Sequence, residues 1–468
     1  MINISSLESL IGELKDKLGQ DYVATDKEIC FAYSMDSSPV PGHIPDIVIR
    51  PKSTEEVSEV IKLANKYKTP VYPRGAAASL VMMGVPLAPG GISLDMTRMN
   101  KIIEIDEDSM CVTVQTGITW GELEYELKKK GWYTGFVGPG PGLSSTIGGA
   151  ISVASVYYGS AKYGTACDIL LGLEVVLPTG EIIKTGSAAL DTSKKHTRYG
   201  LGLDSTGIFC GDQGIMGVKT EATLKLYPVP EATGFFVYGY EDEDKLLKAI
   251  HKMASLHVAS DIDYSDNQSG FDMGGGEERY IVRGKVEAHS EKELEAQLEL
   301  FDKIANEMGG VKTAPAQAKM YFEDMIYEIF PMAGMIGNYG ASCNKMPIFE
   351  SKKVHDLFLK YREKHKAEIE KYNLTTVWYT FISGSCIDIL PQIQIPAHDP
   401  EALKYGTELW KNFIKEELKY GTVHYWLGKV IGDQVVEHYR PTYFNFIKKL
   451  KNLLDPNGIL NPGLLKLP

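Results

Sequence analysis

Residues 72–80 have the sequence Tyr-Pro-Arg-Gly-Ala-Ala-Ala-Ser-Leu and continue a strand that is predicted to begin at Thr69. Small side chains let consecutive backbone N–H groups turn toward one anion, which is how proteins form concave phosphate sites. The segment lacks the Gly-Lys-Ser/Thr of a Walker loop and the Gly-x-Gly-x-x-Gly of a Rossmann fingerprint. Taken alone, it is either a phosphate-binding turn or a close-packed helix start.

Two more tracts of small and hydroxyl-bearing residues follow. Residues 138–152 have the sequence GPGPGLSSTIGGAIS, and residues 211–218 have the sequence GDQGIMGV. The first tract is not simply a flexible loop, because Ile147 and Ile151 have the spacing of buried residues. Each tract is a weak signal by itself, whereas the order and spacing of all three favour a ligand that several chain segments approach closely.

The pattern of helix-like and strand-like segments changes near residue 230. Before it, the two types alternate, beginning with a strand at 45–51, a helix from residue 53 and a second strand from Thr69. From 232 to about 420, strand-like runs are mixed with long charged helices whose apolar residues recur every three or four positions. This predicts an α+β fold with helices over a sheet. The predicted domains are 1–230, 231–425 and a C-terminal segment, 426–468, that returns to the first domain.

Length and charge narrow the function classes. The chain has 468 residues, too many for one ordinary core, so more than one domain is expected. Its 49 Lys and Arg are outnumbered by 61 Asp and Glu, which gives a net charge of −12. Because phosphate-rich partners need a basic surface, this argues against nucleic acid or an anionic membrane as the main partner. The charge balance does not exclude a small anionic substrate, since binding one needs only one or two local cations.

The cysteines and the N-terminus bear on the compartment. No two of the six cysteines lie within four residues of each other, so zinc-ribbon and ferredoxin spacings are absent and no iron–sulfur relay is predicted. Scattered thiols are typical of small buried side chains in a reducing compartment. The N-terminal sequence lacks the basic and apolar regions of a signal peptide, and no stretch is apolar enough for a membrane span. We therefore predict a cytoplasmic protein.

Nine short motifs occur in order along the chain. They are Arg50–Val57, Pro73-Arg74-Gly75, Leu94–Ile102, Thr146–Gly149, Lys162–Gly164, Asp168, Leu173–Gly180, Gly214–Val218 and Leu454–Gly463. The motifs within residues 44–230 resemble the FAD-binding domain of the vanillyl-alcohol-oxidase superfamily, also called PCMH-type flavoproteins, and Leu454–Gly463 resembles the usual C-terminus of that superfamily. The resemblance implies a two-subdomain FAD-binding domain that grips an extended FAD. It also implies a substrate-binding cap domain with an antiparallel sheet covered by helices.

The resemblance assigns cofactor contacts residue by residue. Residues 74–79 and 142–149 are expected to donate backbone N–H groups to the pyrophosphate, and Val218 to meet the adenine. Ser152 and Gly159 are expected along the ribityl chain, with Asn461 returning to the flavin side. The complete predicted FAD-binding set is Pro73, Arg74, Gly75, Ala76, Ala77, Ala78, Ser79, Gly142, Ser145, Thr146, Gly148, Gly149, Ser152, Gly159, Gly164, Gly217, Val218 and Asn461.

Departures from the superfamily's patterns refine the expectation. Covalent members place His where this chain has Ala78, so the resemblance implies a noncovalent FAD. The D-2-hydroxy-acid branch carries a His-rich metal motif in its cap, whereas residues 381–391 here contain no histidine, so no metal site is predicted. Residues 201–214 and the C-terminal motif are closer to the phenol-oxidising branch. The Tyr-Arg pair that holds phenolate in that branch is replaced here by Val423-His424.

Three residues near the C-terminal segment are candidates for catalysis. Flavin oxidation of an alcohol needs a base for the hydroxyl proton and a donor for the polar end of the substrate. His424 is the predicted base, because imidazole titrates near neutral pH and this segment passes from the cap to the FAD-binding domain. Tyr425 could shape an apolar pocket and Arg440 could bind a carboxylate. The alternatives are a structural histidine, a core tyrosine and a solvated arginine.

The resemblance predicts an FAD-dependent oxidoreductase, a dehydrogenase that takes hydride from a small hydroxylated substrate. That substrate is a 2-hydroxy acid such as lactate or glycolate, or a phenolic or benzylic alcohol. Electrons would leave to an external acceptor or an electron-transfer protein, and a homodimer is left open. The alternatives are a flavin-bearing electron-transfer subunit and a non-redox FAD transferase of the alkyl-ether synthase type.

Overall fold

The computed structural model describes residues 4–267, 278–324 and 338–468. Its helices are α1 Ile4–Leu18, α2 Lys27–Ala32, α3 Thr54–Tyr67, α4 Trp120–Lys128, α5 Ile147–Val153, α6 Ser160–Tyr163, α7 Glu243–Ser255, α8 Glu291–Glu307, α9 Ala316–Lys319, α10 Ser351–Lys364, α11 Lys366–Lys371, α12 Pro400–Glu417, α13 Gly428–Val435 and α14 Pro441–Leu454. A π-helical turn, Met320–Asp324, follows α9.

The described strands form three main sheets and one two-stranded ribbon. They are β1 Val23–Ala24, β2 Ile47–Ile49, β3 Val71–Arg74, β4 Ile92–Asp95, β5 Ile102–Asp106, β6 Cys111–Gln115, β7 Trp132–Tyr133, β8 Leu170–Val176, β9 Ile182–Lys184, β10 Val218–Lys225, β11 Tyr227–Pro228, β12 Ala232–Tyr240, β13 Ala259–Asp266, β14 Tyr280–Ala288, β15 Val311–Lys312, β16 Asn338–Ala341, β17 Asn344–Pro347, β18 Thr375–Ser383, β19 Cys386–Ile395 and β20 Val423–His424. The predicted α+β fold is confirmed.

The first sheet has the order β1-β2-β4-β3, with β2, β4 and β3 parallel. Helix α3 makes the crossover from β2 to β3, as the sequence predicts. It begins where the Ser53 side chain accepts a hydrogen bond from the Glu56 N–H, and it ends at Lys68 in the left-handed region. The loop that follows β3 therefore leaves the sheet at the carboxyl ends of two parallel strands, which is where ligand sites form in such sheets.

The second sheet has the order β5-β6-β10-β8-β9 and is antiparallel throughout. Strand β10 lies in its centre and begins directly after the 211–217 tract. Helix α5 packs beside it, capped by the Thr146 side chain, which accepts a hydrogen bond from the Gly149 N–H. The small-residue tracts at 145–153 and 211–218 thus meet at one end of this sheet.

The third sheet is antiparallel and contains nine described strands, ordered β15-β12-β14-β13-β18-β19-β17-β20 with β16 also paired to β19. Helices α7, α8, α10 and α12 pack against it, with a buried core that includes Phe236, Phe301 and Trp378. Its strands span 232–424, inside the range predicted for the cap. The last segment then returns to the first sheet, because the Val71 N–H donates to Ile459 O at 2.7 Å and the Asn461 N–H donates to Val71 O at 2.9 Å.

Candidate cofactor site

A cleft opens where the first sheet, the second sheet and the C-terminal segment meet. Three walls line it: residues 73–84 after β3, residues 145–153 of the α5 segment, and residues 213–219 at the start of β10. Trp426 and Asn461 contribute from the end of the chain. The predicted residues that line the cleft are Pro73, Arg74, Gly75, Ala76, Ala77, Ala78, Ser79, Ser145, Thr146, Gly148, Gly149, Ser152, Gly217, Val218 and Asn461.

The first wall carries a row of unused backbone donors. The N–H groups of Ala76, Ala77, Ala78 and Ser79 have no acceptor among the residues that the structure describes. Ala77 has a φ of +54°, and a left-handed residue among right-handed or extended neighbours turns successive N–H groups toward one point. Ala76 is exposed and Ala77–Ser79 are half-buried, so a ligand in the cleft can reach these N–H groups. The row fits an anionic ligand such as a pyrophosphate.

Arg74 stabilises this wall from behind. Its Nη1 donates to the carbonyl oxygens of Tyr33 at 3.1 Å, Met35 at 3.1 Å and Gly84 at 3.3 Å. Burial lowers the pKa of the guanidinium from its usual value. The side chain therefore holds the loop in its conformation, and the contact of Arg74 with a ligand stays a prediction.

The second wall differs from the sequence-based expectation in its donors. The Gly148 N–H donates to Thr116 O at 2.8 Å, the Gly149 N–H to Thr146 Oγ1, and the Gly142 N–H to Gly140 O at 2.8 Å. These glycines instead permit close packing, since a Cβ built on Gly148 would lie 2.9 Å from Thr116 Cβ. These three N–H groups are used within the protein, whereas the first wall has unused donors. The cofactor contacts of residues 142–149 stay a prediction.

Three predicted cofactor residues lie outside the cleft lining: Gly142, Gly159 and Gly164. The Gly159 N–H donates at 2.8 Å to Oδ1 of Asp261 on β13, so this residue joins the start of α6 to the third sheet. Gly164 has a φ of +81° and packs against the Asp168 carboxylate. Both glycines have a positive φ that suits a chain turn, and their contacts with a cofactor stay predictions.

The third wall contains residues that the sequence analysis did not select. Lys219 on β10 lines the cleft, and its Nζ donates to Asp212 Oδ1 at 2.6 Å and to Ser152 Oγ at 3.0 Å. Gln213 Nε2 donates to Tyr425 O at 3.2 Å, and Asn461 Nδ2 donates to Gly214 O at 3.0 Å. A lysine in a strand is ordinarily a surface residue, so no sequence signal distinguished Lys219.

None of the three predicted catalytic residues is part of the cleft lining. His424 is buried, with Nε2 3.3 Å from Thr422 Oγ1 and 3.7 Å from Glu417 Oε1, and burial lowers its pKa to about 3. The Tyr425 side chain is also buried, and burial raises its pKa well above the usual value. Arg440 is exposed at the start of α14. Of this segment, Trp426 lines the cleft.

A chain of tyrosine hydroxyls connects the segment between α5 and α6 to the third sheet, and we call Tyr157, Tyr321 and Tyr379 the tyrosine chain. The hydroxyls of Tyr157 and Tyr321 are 2.6 Å apart, and those of Tyr321 and Tyr379 are 2.8 Å apart. Tyr379 donates to Asp263 Oδ2 at 2.6 Å, and Arg283 Nε donates to Asp263 Oδ1 at 2.8 Å. Burial raises the pKa of Asp263, although Arg283 opposes the rise.

Glu417, beside His424, gives the first prediction. Burial raises its pKa from 4.5 to about 8. Between these values the folded state keeps a proton that the unfolded state has released, so this group makes the protein less stable as pH rises through that window. We expect Glu417→Gln to raise the thermal unfolding midpoint relative to wild type at pH 8.5, by roughly a few degrees, and much less at pH 5. The half-exposed neighbour Glu416 is the control, and the same pH-dependent gain in a Glu416→Gln variant would contradict the assignment.

Comparison with known proteins identifies the family that has this architecture. A family model described as "FAD binding domain" matches residues 45–186, and one described as "FAD linked oxidases, C-terminal domain" matches residues 229–465, half of the chain. The chain belongs to the FAD-linked oxidase family. The predicted membership of the vanillyl-alcohol-oxidase superfamily is thereby confirmed.

Curated relatives of this FAD-linked oxidase include the glycolate oxidase subunit GlcD of Bacillus subtilis (strain 168). It is 36% identical over 228 residues, 48% of this chain and 46% of that protein, so the match spans about half the length of each. A D-lactate dehydrogenase of Anaerostipes hadrus is 25% identical over 440 residues, 90% of this chain and 89% of that protein. These matches support an FAD-linked oxidoreductase and do not favour the two alternative functions.

Solved structures show the same fold. p-Cresol methylhydroxylase with substrate bound has a TM-score of 0.84 at 18% identity, with 100% of this chain and 98% of that chain covered. A 4-ethylphenol oxidase from Gulosibacter chungangensis, in complex with isoeugenol, has a TM-score of 0.81 at 19% identity and the same coverage. Within the described residues of the FAD-linked oxidase, no helix is long and apolar enough to cross a membrane. The same residues contain no cluster of three or more His, Cys, Asp or Glu side chains arranged to hold a metal ion.

Proposed function

We propose that this chain is an FAD-dependent dehydrogenase that removes hydride from the C–H of a small hydroxylated substrate. The substrate classes are a 2-hydroxy acid, such as lactate or glycolate, and a phenolic or benzylic alcohol. The observation that carries the proposal is the row of unused N–H groups at Ala76–Ser79, because it fits the pyrophosphate of FAD. When bound, FAD supplies the hydride acceptor. The electrons then pass to an external acceptor or an electron-transfer protein, and we place the enzyme in the cytoplasm.

The chain's own residues bind the cofactor and orient the substrate. The first wall binds the phosphates, and Trp426 adds an indole ring to the lining of the cleft. The tyrosine chain ends on the buried Asp263–Arg283 pair and lies among the buried rings of Tyr158, Phe322 and Phe381. A substrate with an apolar body and a hydroxyl or carboxylate would suit a position beside these residues.

The test is an anaerobic titration of the purified protein with D- and L-lactate, glycolate, 4-alkylphenols and benzylic alcohols. Loss of the visible absorbance of oxidised flavin with at least one of them is the expected result. Dithionite, which reduces flavin without an enzyme site, is the positive control. The proposal fails if dithionite bleaches the flavin and every substrate class leaves it unchanged.

We propose His424 as the base that accepts the substrate's hydroxyl proton. Burial keeps its imidazole neutral, and its Nδ1 is buried with no hydrogen-bond partner among the described residues. We expect His424→Gln to lower kcat by about 100-fold, the size of a typical general-base contribution, while the flavin content stays the same. Stopped-flow flavin reduction measures this directly. An unchanged reduction rate would assign the histidine a structural role.

The bound FAD is expected to be noncovalent. Ala78 lines the cleft and has no side-chain group that could bond to the flavin ring. Acid precipitation of the purified protein should therefore leave all the yellow colour in the supernatant. A pellet that stays fluorescent after washing would show a covalent link elsewhere.

A further inference from the structure

Lys219 places a buried ammonium group in the wall of the cleft. Its side chain is 2% exposed, and the residue lines the cleft beside Gly217 and Val218. A charged side chain is rarely this buried unless its donors are all used. A donor of this ammonium without an acceptor in the protein therefore indicates a ligand atom that would accept its hydrogen bond.

Two of its three N–H donors are used within the protein. One goes to Asp212 Oδ1 at 2.6 Å and one to Ser152 Oγ at 3.0 Å. Ser152 in turn donates its own hydroxyl hydrogen to Gly148 O at 2.8 Å, so the serine oxygen can only accept from the lysine. A lysine ammonium has three donors and no acceptor, and the third N–H has no partner among the described residues.

Asp212 does not depend on the lysine for its position. Its Oδ1 also accepts from the Gly214 N–H at 3.0 Å, and its Oδ2 accepts from the Met216 N–H at 3.3 Å. The carboxylate is not part of the cleft lining. Asp212 therefore neutralises the charge of Lys219 from the side away from the cleft. The ammonium group lines the cleft as one member of a neutral ion pair.

The ion pair of Lys219 and Asp212 lies on a different wall of the cleft from the proposed phosphate-binding N–H groups. Ser152 lies four residues after Gly148 on α5, about 6 Å further along the helix axis. The unused N–H groups of Ala76–Ser79 belong to a different wall, whose Gly75 packs against Thr146 at the start of that helix. A charge-balanced donor away from the phosphate loop suits an uncharged oxygen better than a phosphate.

We propose that Lys219 is a cofactor-binding residue that gives its third N–H to a sugar-derived hydroxyl oxygen, ribityl or ribose, of the bound flavin dinucleotide. This rests on the proposed function, since it requires FAD in the cleft. It assigns a binding role to a charged residue on β10 whose neighbours Gly217 and Val218 contribute no side-chain donor.

The test measures the Kd of FAD for full-length apoprotein by flavin fluorescence, in wild type and in the variants Lys219→Met and Asp212→Asn. Methionine keeps the length of the side chain without donors, whereas Asp212→Asn weakens the ion pair and keeps the ammonium. We expect Lys219→Met to raise the Kd by about tenfold or more, the loss typical of a charged donor. Asp212→Asn should raise it by less than about threefold. Thermal midpoints of the apoproteins report the structural cost of each change separately.

Two results overturn the inference. Equal increases in Kd for both variants would mean that the ion pair only shapes the wall. A Lys219→Met effect that disappears at high ionic strength would mean that the ammonium meets a phosphate, because salt screens a charge–charge contact and has little effect on a bond to a neutral hydroxyl. Failure of the wild-type apoprotein to bind FAD would instead refute the proposed function, so the two failures are distinguishable.

Discussion

Replacing Gly75 with valine is expected to weaken FAD binding by at least about 100-fold. A Cβ at this position would lie 2.2 Å from Thr146 Oγ1, far inside van der Waals contact. Thr146 would have to turn away, which removes the cap of α5 and separates the first two walls of the cleft. Misplacing two or more of the N–H donors at 76–79, at roughly 1.5 kcal/mol each, gives a loss of this size.

Equilibrium titration of apoprotein with FAD, followed by flavin fluorescence, measures this effect. Gly12→Val in α1 is the matched control, because a Cβ there meets nothing within 4 Å. Circular dichroism of both variants establishes that they fold. A folded Gly75→Val variant with wild-type affinity would show that the first wall does not bind the cofactor.

Replacing Lys451 with methionine is expected to lower the free energy of unfolding by about 3–5 kcal/mol, the usual cost of leaving one member of a buried ion pair alone. Lys451 Nζ is fully buried on α14 and donates to Asp455 Oδ2 at 2.5 Å, to Leu460 O at 2.7 Å and to Ile215 O at 3.0 Å. Without the lysine, the Asp455 carboxylate keeps only the backbone N–H groups of Ile459 and Leu460.

Denaturant unfolding of the apoprotein measures the loss. The double variant Lys451→Met, Asp455→Asn removes both charges and should recover part of it, while Lys449→Met on the exposed side of α14 should change stability by less than about 0.5 kcal/mol. A Lys451→Met variant as stable as wild type would contradict the assigned role. The same experiment tests whether the C-terminal segment is held to the third wall through Ile215.

Local sequence patterns predict those features of this protein that depend only on residues close together in the chain. Ser53 and Lys68 bound α3 because capping depends on a few neighbouring residues. The small residues at 75–79 predict an anion site lined by backbone, because the absence of bulky side chains can be read directly from the sequence. Fifteen residues predicted to bind the cofactor line one cleft, although their individual contacts with FAD stay predictions.

The remaining features depend on pairings between distant segments. The N–H of Gly148 is used by Thr116, some thirty residues earlier, and the N–H of Gly159 by Asp261, about a hundred residues later. Lys219 is identifiable as a cleft residue only when Ser152 is known to lie beside it. Neither the tyrosine chain nor the burial of His424 has a periodicity that a sequence would show.

The hydrogen bonds between Val71 and residues 459–461 impose an order on biosynthesis. A ribosome that adds about 5–20 residues per second needs roughly 20–80 seconds to reach Ile459 after it has made Val71. During that interval β3 keeps an exposed edge, and the amide of Asn461 is not yet present to hold Gly214. Nascent chains therefore lack this part of the pocket until residues 459–461 have been synthesised and have paired with Val71.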